Sequence, residues 1–360
     1  TYSILRGDLA FVGPHVGDLK NPDTVESYIR GVRNLEELLK VQIEGVVCDK
    51  HPAYRSTVFA KDLEAEGLPL LSVQHHEAHA AAVMAENSFE GEGVVLALDG
   101  TGLGEDGTIW GCEIFSGMPG TFVRRGSLVK VPMPGGDRAA VEPWRMAAAH
   151  RRRVHSEGWI ESGLGCFADM NRRDLELLET IMARGLNSPL TSSAGRLFDA
   201  AAAIVLGFTG EMKYSAHAPM LLEAHGLRAK AHRLYLMDGV TEDAGFISID
   251  PAALFAAMEE DILRGHSPGE VALGFHRWLG ETLAKAASIV AEREGHKNLF
   301  LTGGVFVNGI LTAVVERAAR ERGLCVHRHR VLPPGDNSIS YGQLAWARMS
   351  GADFKAPRQA

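Results

Sequence analysis

The sequence is poor in cysteine and has no long apolar segment. Its four cysteines are scattered and form no CxxC pair: Cys48, Cys112, Cys166 and Cys325. This usage predicts a reduced, cytoplasmic protein and excludes a zinc site built from neighbouring cysteines. The longest apolar run, residues 200–207, is far too short to span a bilayer, and no apolar leader opens the chain. We therefore expect no membrane partner and no export.

An excess of basic charge is also absent. Lys and Arg number 37 against 45 Asp and Glu, which gives a formal net charge of -8. This balance argues against a general nucleic-acid surface, so we expect no nucleic-acid partner. The basic run at residues 151–153 is typical of a solvated helix face. The chain begins with Thr1 rather than Met, from which we expect a piece of a longer polypeptide.

Apolar periodicity and glycine-rich turns predict alternating strands and helices. Because 360 residues exceed one ordinary core, we expect two lobes. Strands are predicted at residues 45–49, 70–73, 93–99, 108–115, 233–237, 245–249, 298–302 and 324–329. Helices are predicted at residues 21–41, 56–66, 139–156, 171–185, 195–207, 252–264, 268–294 and 308–322, with two more beginning near 75 and 338. The alternation indicates the α/β class with a mixed sheet.

The segment VQHHEAHAAAV carries the sharpest functional pattern. His75 and His79 are four residues apart, so on a helix both imidazoles face one side and can share a metal ion. The helix follows a strand directly, which is where α/β proteins bind ligands. The alternative is a helix with histidines on a polar face. The zinc-protease motif HExxH is excluded because the second histidine comes one residue early.

The segment VVLALDGTGLGEDG follows a buried strand. Asp99 is expected at the strand's end, where Gly100 and Gly102 let the backbone approach a phosphate or a metal-bound ligand. DGTG is a phosphate-contact pattern of actin-like ATPases and sugar kinases. The alternative is an acid that caps a hairpin turn.

Two later segments also place glycine or acid beside a predicted helix. Gly303 and Gly304 end an apolar strand, and the helix beginning near Asn308 suits the phosphates or ribose of a nucleotide. An ordinary strand-to-helix turn is the alternative. The prolines of LPPGDNSISYGQ stiffen a loop that presents Asp336, whose alternative role is a helix N-cap.

Together the four segments fit one site, made of two histidines, two aspartates and two glycine turns. Nitrogen and oxygen ligands of this mix suit one divalent ion, namely iron, zinc or manganese, without choosing among them. Each of the simpler alternatives stays open for its motif taken alone.

The chain resembles the C-terminal region of the HypF family, the carbamoyltransferases of nickel–iron hydrogenase maturation. The resemblance rests on HVGDLKN, CDKHPAYRST, VQHHEAHAAA, ALDGTGLGEDG, PMPGGDRAAVEPWRMA, SSAGRLFDAAAAI, LTGGVFVN and LPPGDNSISYGQ, in the family's order. More distantly, the chain is similar to the O-carbamoyltransferase TobZ and to the tRNA threonylcarbamoyl-adenosine synthesis proteins. The resemblance implies an actin-like ATPase (ASKHA) fold. Its first lobe would span residues 1–130 and be completed by 333–360, and residues 131–332 would form a second lobe with a helical insertion.

The resemblance also implies site residues, carried over motif by motif. The metal ligands would be His75, His79, Asp99 and Asp336. The nucleotide contacts would be Gly100, Gly102, Gly195, Asp199, Gly303, Gly304 and Asn308. The implied cofactors are one divalent metal and ATP, AMP or carbamoyl-adenylate. His76 is a candidate to assist catalysis by deprotonating the acceptor thiol, against the alternative of a supporting or surface histidine.

The implied reaction moves a carbamoyl group from carbamoyl-adenylate to the C-terminal cysteine of a HypE-like partner, during synthesis of the hydrogenase cyanide ligand. The carbamoyl-adenylate-forming domain would lie upstream in the same polypeptide. We also expect one edge strand, with a phosphate-contacting lysine, to lie outside this chain. The rival functions are O-carbamoyl transfer to a small molecule and a nucleotide-binding scaffold without transfer activity.

One loop departs from the family pattern. Where a sequence close to YEGQAA is expected, this chain has Tyr214, Ser215, Ala216 and His217. A glutamate is lost and a histidine is gained, which leaves the role of residues 215–217 open.

Overall fold

The computed structural model describes residues 1–168 and 170–352. The strands are β1 Ser3–Arg6, β2 Leu9–Val12, β3 Val46–Asp49, β4 Leu70–Val73, β5 Gly93–Leu103, β6 Ile109–Gly117, β7 Val123–Leu128, β8 Val131–Pro132, β9 Leu190–Thr191, β10 Val240–Asp243, β11 Phe246–Ile249, β12 Asn298–Thr302 and β13 Cys325–Arg328. The helices are α1 Pro22–Leu39, α2 Arg55–Ala65, α3 His75–Glu86, α4 Asp137–Val141, α5 Pro143–His155, α6 Gly165–Ala168, α7 Arg172–Arg184, α8 Ala194–Leu206, α9 His217–Arg228, α10 Ala252–Leu263, α11 Pro268–Glu294, α12 Gly309–Glu321 and α13 Ile339–Met349. Short 3-10 turns lie at Ser156–Ile160, Gly304–Val307 and Asp336–Ser338. Within these described residues, every helix is too short or too polar to cross a membrane.

One large sheet organises the molecule. Its strands run in the order β10, β11, β7, β6, β5, β12, β13, and the short β8 and β9 extend it beside β6. β5 pairs antiparallel with β6 and parallel with β12, so the sheet is mixed. This confirms the α/β class with a mixed sheet that the sequence predicts.

The two faces of the sheet explain how the site is assembled. Successive residues of a strand point to opposite faces. Accordingly Leu96 and Leu98 of β5 join the main core with α8 and α11, whereas Val95 and Ala97 join a second cluster with α3. The same alternation directs Asp99 toward the α3 face, two residues beyond Ala97, which pairs with Thr302 at the end of β12.

Two smaller sheets accompany α13. β1 and β2 form an antiparallel hairpin, β3 and β4 form a parallel pair, and α13 packs against β1, β3 and α3. A cavity of about 890 Å³ lies between them, lined by β1, β3 and α13. The division at residue 130, and the absence of one edge strand, stay predictions. Residues 353–360 of the proposed completing segment lie outside the described part of the chain.

Two element predictions are wrong, each for a local backbone reason. The single helix expected at residues 139–156 divides at Glu142, because the following Pro143 disfavours helical backbone in the residue before it. The hairpin strand expected at 233–237 lies instead at β10. Ala244 and Gly245 both have positive φ, at 47° and 80°, and form a two-residue turn that fixes β10 directly before β11.

Candidate functional site

The site is built around the start of α3. The side chain of Gln74 accepts hydrogen bonds from the backbone N–H groups of His76 and Glu77, so the helix begins at His75 immediately after β4. His79 follows one turn later on the same face, and the two imidazole centroids are 5.0 Å apart. Both histidines are buried, with 4% of His75 and none of His79 exposed.

Two carboxylates from distant parts of the chain meet these rings. Nε2 of His75 lies 3.6 Å from Oδ2 of Asp99 and 3.6 Å from Oδ1 of Asp336. Nε2 of His79 lies 3.5 Å from the same oxygen of Asp336. One nitrogen or oxygen atom from each of the four residues lies within 4.8 Å of the others. The fold thus brings all four predicted ligands together.

The backbone around the two aspartates does not match the alternative roles, which were a hairpin-turn cap for Asp99 and a helix N-cap for Asp336. β5 does not end at Asp99 but continues to Leu103 through an irregularity in its pairing between Leu98 and Gly102. Asp336 is the first residue of a 3-10 turn whose N-cap is Gly335, while Ser338 occupies the N-cap position of α13. Neither aspartate is engaged as a turn or helix cap.

The donor set fits one divalent cation. The Nε2 atoms of His75 and His79 are buried and have no hydrogen-bond partner within the described residues. Burying an unpaired polar atom is costly, and such atoms in native proteins normally have a partner. Two imidazole nitrogens beside two carboxylates are ligands that zinc, iron and manganese accept. The side chain of Asp336 is 71% exposed, so the cluster is reached from the solvent side.

Asp49 also belongs to this site, although no motif of the sequence indicated it. Asp49 ends β3, is 3% exposed, and accepts a hydrogen bond from Nδ1 of His75 at 2.8 Å. In the parallel pair of β3 and β4, Asp49 lies opposite Val73, two residues before His75. The sequence signal that could have indicated Asp49 is an acid at the end of one predicted strand and a histidine directly after the next predicted strand.

The carboxylates also govern the protonation of His75. Burial lowers the pKa of this ring, but the neighbouring carboxylates of Asp336, Asp49 and Asp99 outweigh it and raise the pKa well above its usual value. A proton and a cation therefore compete for Nε2.

His76 lies beneath the backbone of the DGTG segment. It is fully buried, and a Cβ atom added to Gly102 would lie 2.4 Å from its Cε1, so a glycine is required there. Burial, and secondarily the charge of His75, holds the pKa of His76 well below its usual range. Its Nε2 has no hydrogen-bond partner in the described structure. Its assistance to an acceptor thiol stays a prediction.

Four of the predicted glycines surround Asp99. A Cβ on Gly195 would lie 2.8 Å from Cα of Gly100, and one on Gly304 would lie 3.2 Å from Oδ1 of Asp99. Gly303 has φ of 97°, and its Cβ would lie 2.1 Å from a backbone oxygen of β5. The N-terminus of α8 and the turn after β12 thus approach Asp99 closely only because these positions lack side chains.

The other two predicted nucleotide contacts lie in the helical layer. Asp199 is fully buried on α8, where its Oδ2 is 3.1 Å from Nη2 of Arg196 and neither carboxylate oxygen has a hydrogen-bond partner among the described residues. Burial raises the pKa of Asp199 to about 7, although Arg196 opposes this. Asn308 caps α12 by accepting from the backbone N–H of Leu311 at 2.9 Å, and its amide also contacts His276.

The loop that departs from the family pattern precedes α9. Ala216 has φ of 60°, in the left-handed region, and His217 begins the helix. The ring of His217 lies 4.6 Å from that of Tyr214, and its Nδ1 has no partner in the described structure.

Comparison with known proteins gives the family. Residues 1–86 match the family described as "HypF Kae1-like domain", and residues 95–343 match "Carbamoyltransferase, Kae1-like Domain, second subdomain". The chain is 38% identical to carbamoyltransferase HypF2 of Cupriavidus necator over 98% of this chain and 45% of the relative. It is 37% identical to a carbamoyltransferase HypF homolog of the same organism over 95% of this chain and 87% of the relative.

Two solved structures match closely. Full-length HypF in the phosphate- and nucleotide-bound form matches with a TM-score of 0.89 and 28% identity, over 98% of this chain and 45% of that chain. HypF of T. kodakarensis matches with a TM-score of 0.87 and 27% identity, over 97% of this chain and 46% of that chain. This chain therefore spans less than half of these proteins. The matches confirm the predicted actin-like ATPase fold, and the chain belongs to the HypF carbamoyltransferase family, whose Kae1-like region it matches.

Proposed function

We propose that this chain transfers a carbamoyl group from carbamoyl-adenylate to the C-terminal cysteine of a HypE-like partner during hydrogenase maturation. Membership of the carbamoyltransferase family supports the reaction class. The observation that carries the proposal is the convergence of His75, His79, Asp99 and Asp336 within 4.8 Å, beside the glycine turns.

The four converging side chains would hold one divalent ion, iron, zinc or manganese. When bound, such an ion supplies a Lewis acid and a fixed positive charge. Asp49 holds the ring of His75 so that Nε2 faces the carboxylates. Asp99 directly follows Leu98, the last β5 residue before the irregularity in its pairing with β6. The ligands are thereby oriented before any substrate arrives.

The nucleotide would bind beside this cluster. The nucleotide-bound state of full-length HypF supports nucleotide binding here. Close packing of Gly195 on Gly100, and of Gly303 and Gly304 on β5, leaves backbone N–H groups and the N-terminus of α8 next to Asp99. Asn308, which is half-buried, would contact the nucleotide from the helical layer. Asp199 has no exposed surface, so its predicted contact would require the Arg196 side chain to move aside.

The chemical step forms one bond and breaks one bond. The thiolate sulfur of the acceptor cysteine attacks the carbamoyl carbon, the carbon–oxygen bond to the phosphate breaks, and AMP leaves with the electron pair. The thiol proton would pass to a base; the predicted candidate is His76, which is fully buried and would take the proton only through an intervening group. Because AMP is a good leaving group, the residues serve mainly to orient the carbonyl and to stabilise the departing phosphate.

The test supplies carbamoyl-adenylate directly, since the domain proposed to make it lies outside this chain. Purified protein is incubated with a peptide that ends in cysteine or, as a control, with the same peptide ending in serine. Mass spectrometry then measures the mass of each peptide. We expect one carbamoyl mass on the cysteine peptide only, and its loss in the variant His75→Ala/His79→Ala. Transfer to sugar acceptors but not to the peptide would indicate an O-carbamoyltransferase. Nucleotide binding without transfer to either acceptor would indicate a scaffold.

A further inference from the structure

A buried histidine outside the cluster contacts one of the proposed nucleotide residues. His276 lies in the third turn of α11 and is fully buried, with its ring 5.3 Å from that of Phe198 in an edge-on arrangement. Its Nδ1 lies 2.7 Å from the backbone oxygen of Ala272, and its Nε2 lies 3.0 Å from Nδ2 of Asn308. Both ring nitrogens therefore have partners, although no motif of the sequence draws attention to this residue.

These two partners fix the tautomer of His276. A carbonyl oxygen can only accept, so Nδ1 carries the hydrogen and donates it to Ala272. Burial lowers the pKa of His276 to about 4, which keeps the ring neutral near pH 7. Nε2 is then an acceptor, and the amide N–H of Asn308 must be the donor.

The orientation of the Asn308 amide follows from contacts at both ends. Its Oδ1 accepts from the backbone N–H of Leu311 at 2.9 Å, and its Nδ2 donates to His276 at 3.0 Å. In the opposite orientation, the amide N–H of Asn308 would face the N–H of Leu311, and its oxygen would face the lone pair of His276 Nε2. Both contacts would be repulsive. One N–H of Nδ2 is left, in a residue that is only half-buried.

We propose that His276 is a positioning residue that holds the remaining amide N–H of Asn308 toward the bound nucleotide. The inference rests on the proposed function, in which Asn308 contacts the nucleotide. His276 is too deeply buried to touch the ligand itself, so it acts only through Asn308. A merely structural role, joining α11 to α12, would change stability but would leave nucleotide affinity alone.

A matched pair of substitutions separates these two roles. His276→Asn places an amide near the former Nδ1 and offers no acceptor to Asn308, whereas His276→Gln places an acceptor near the former Nε2. We expect His276→Asn to raise the Kd for AMP by about 5- to 10-fold, the loss typical of one hydrogen bond. His276→Gln should stay near the parental Kd. Isothermal titration calorimetry with AMP measures both, and thermal melting without nucleotide reports any change in stability. If the asparagine variant does not fold, His276→Phe, which keeps a ring but no acceptor, replaces it.

The pathway through Asn308 is tested in the Asn308→Ala background. There, His276→Asn should cause no further loss of AMP affinity, because its only route to the ligand is gone. An equal loss in both backgrounds, or equal AMP affinity in parent and His276→Asn, would overturn the positioning role while the proposed function stands. A parent protein that binds neither AMP nor ATP would overturn both.

Discussion

Oδ2 of Asp49 accepts a hydrogen bond from Nδ1 of His75 at 2.8 Å, in a position where both side chains are almost fully buried. The contact joins the ends of two parallel strands, since Asp49 ends β3 and His75 follows β4. It directs the other ring nitrogen toward Asp99 and Asp336. A carboxylate behind a metal-binding histidine fixes the ring and strengthens its donor atom.

Removing this carboxylate should weaken metal binding without removing a ligand. We expect Asp49→Ala to lower affinity for Zn²⁺ or Mn²⁺ by about 10- to 100-fold, the range for residues that support a ligand. Asp49→Asn should lose less, because its amide oxygen can still accept from Nδ1. Calorimetric titration of the metal-free protein measures both, with Asp62→Ala on the exposed side of α2 as a control. Equal affinities in Asp49→Ala and the parent would remove Asp49 from the site.

Replacing Asp336 tests the fourth ligand. The Asp336 side chain is 71% exposed and is not the N-cap of α13, so Asp336→Asn should lower the melting temperature of the metal-free protein only slightly, through the loss of its charge beside His75. Metal content after dialysis should nevertheless fall, because the site loses a negative charge and a ligand. Elemental analysis beside a melting curve gives both values. Full metal occupancy in the variant would contradict the four-residue site.

Asp199 should make the free energy of unfolding depend on pH. Its pKa is raised from an ordinary 3.8 to about 7 in the folded protein, so the folded state holds this proton more tightly than the unfolded chain. The associated stability is fully present below about pH 4 and is lost as pH rises to about 7, by up to about 4 kcal/mol.

The variant Asp199→Asn removes this titration. The free energy of unfolding of the variant, relative to that of the parent, should therefore rise between pH 4 and pH 7.5. Urea denaturation without nucleotide, at several pH values, measures this difference. Because all other groups are shared, the difference between the two curves isolates Asp199. A difference that stays flat across this range would show that Asp199 is ionised in the folded protein throughout.

The strained backbone at Ala216 gives a prediction on stability. A residue with a Cβ at φ of 60° costs about 1–2 kcal/mol relative to the right-handed region, and glycine escapes most of this. We expect Ala216→Gly to raise the free energy of unfolding by about 0.5–1 kcal/mol after the larger entropy loss of glycine is counted. The control is Ala313→Gly, on the exposed face of α12, which should lower stability by about 1 kcal/mol. A loss of stability in Ala216→Gly, as in the control, would contradict the strain.

Local patterns predicted most elements because their causes are local. The 3.6-residue period and a proline at its start give α11 as residues 268–294, as predicted, and the apolar run before Gly303 gives β12 as residues 298–302. The period-2 alternation of β5 also places Asp99 on the same face of the sheet as Val95 and Ala97, which is the face that α3 covers. The hairpin strand predicted at residues 233–237 is wrong because the two-residue turn at Ala244 and Gly245 places the partner of β11 directly before it, at residues 240–243.

The sequence by itself determined that His75 and His79 share one helix face, that a glycine turn follows the strand at residues 298–302, and that the chain resembles the HypF family. Only the tertiary structure decided that Asp49 supports His75, that Asp199 is closed off beside Arg196, and that His276 holds Asn308. The spacing of neighbours along a helix or strand is fixed by backbone geometry, which is visible in one segment. The contacts Asp49–His75 and His276–Asn308 join residues 26 and 32 positions apart, and they depend on strand order and helix packing that no single segment contains. The pair of Asp199 and Arg196 is local to α8, but its burial depends on the same helix packing.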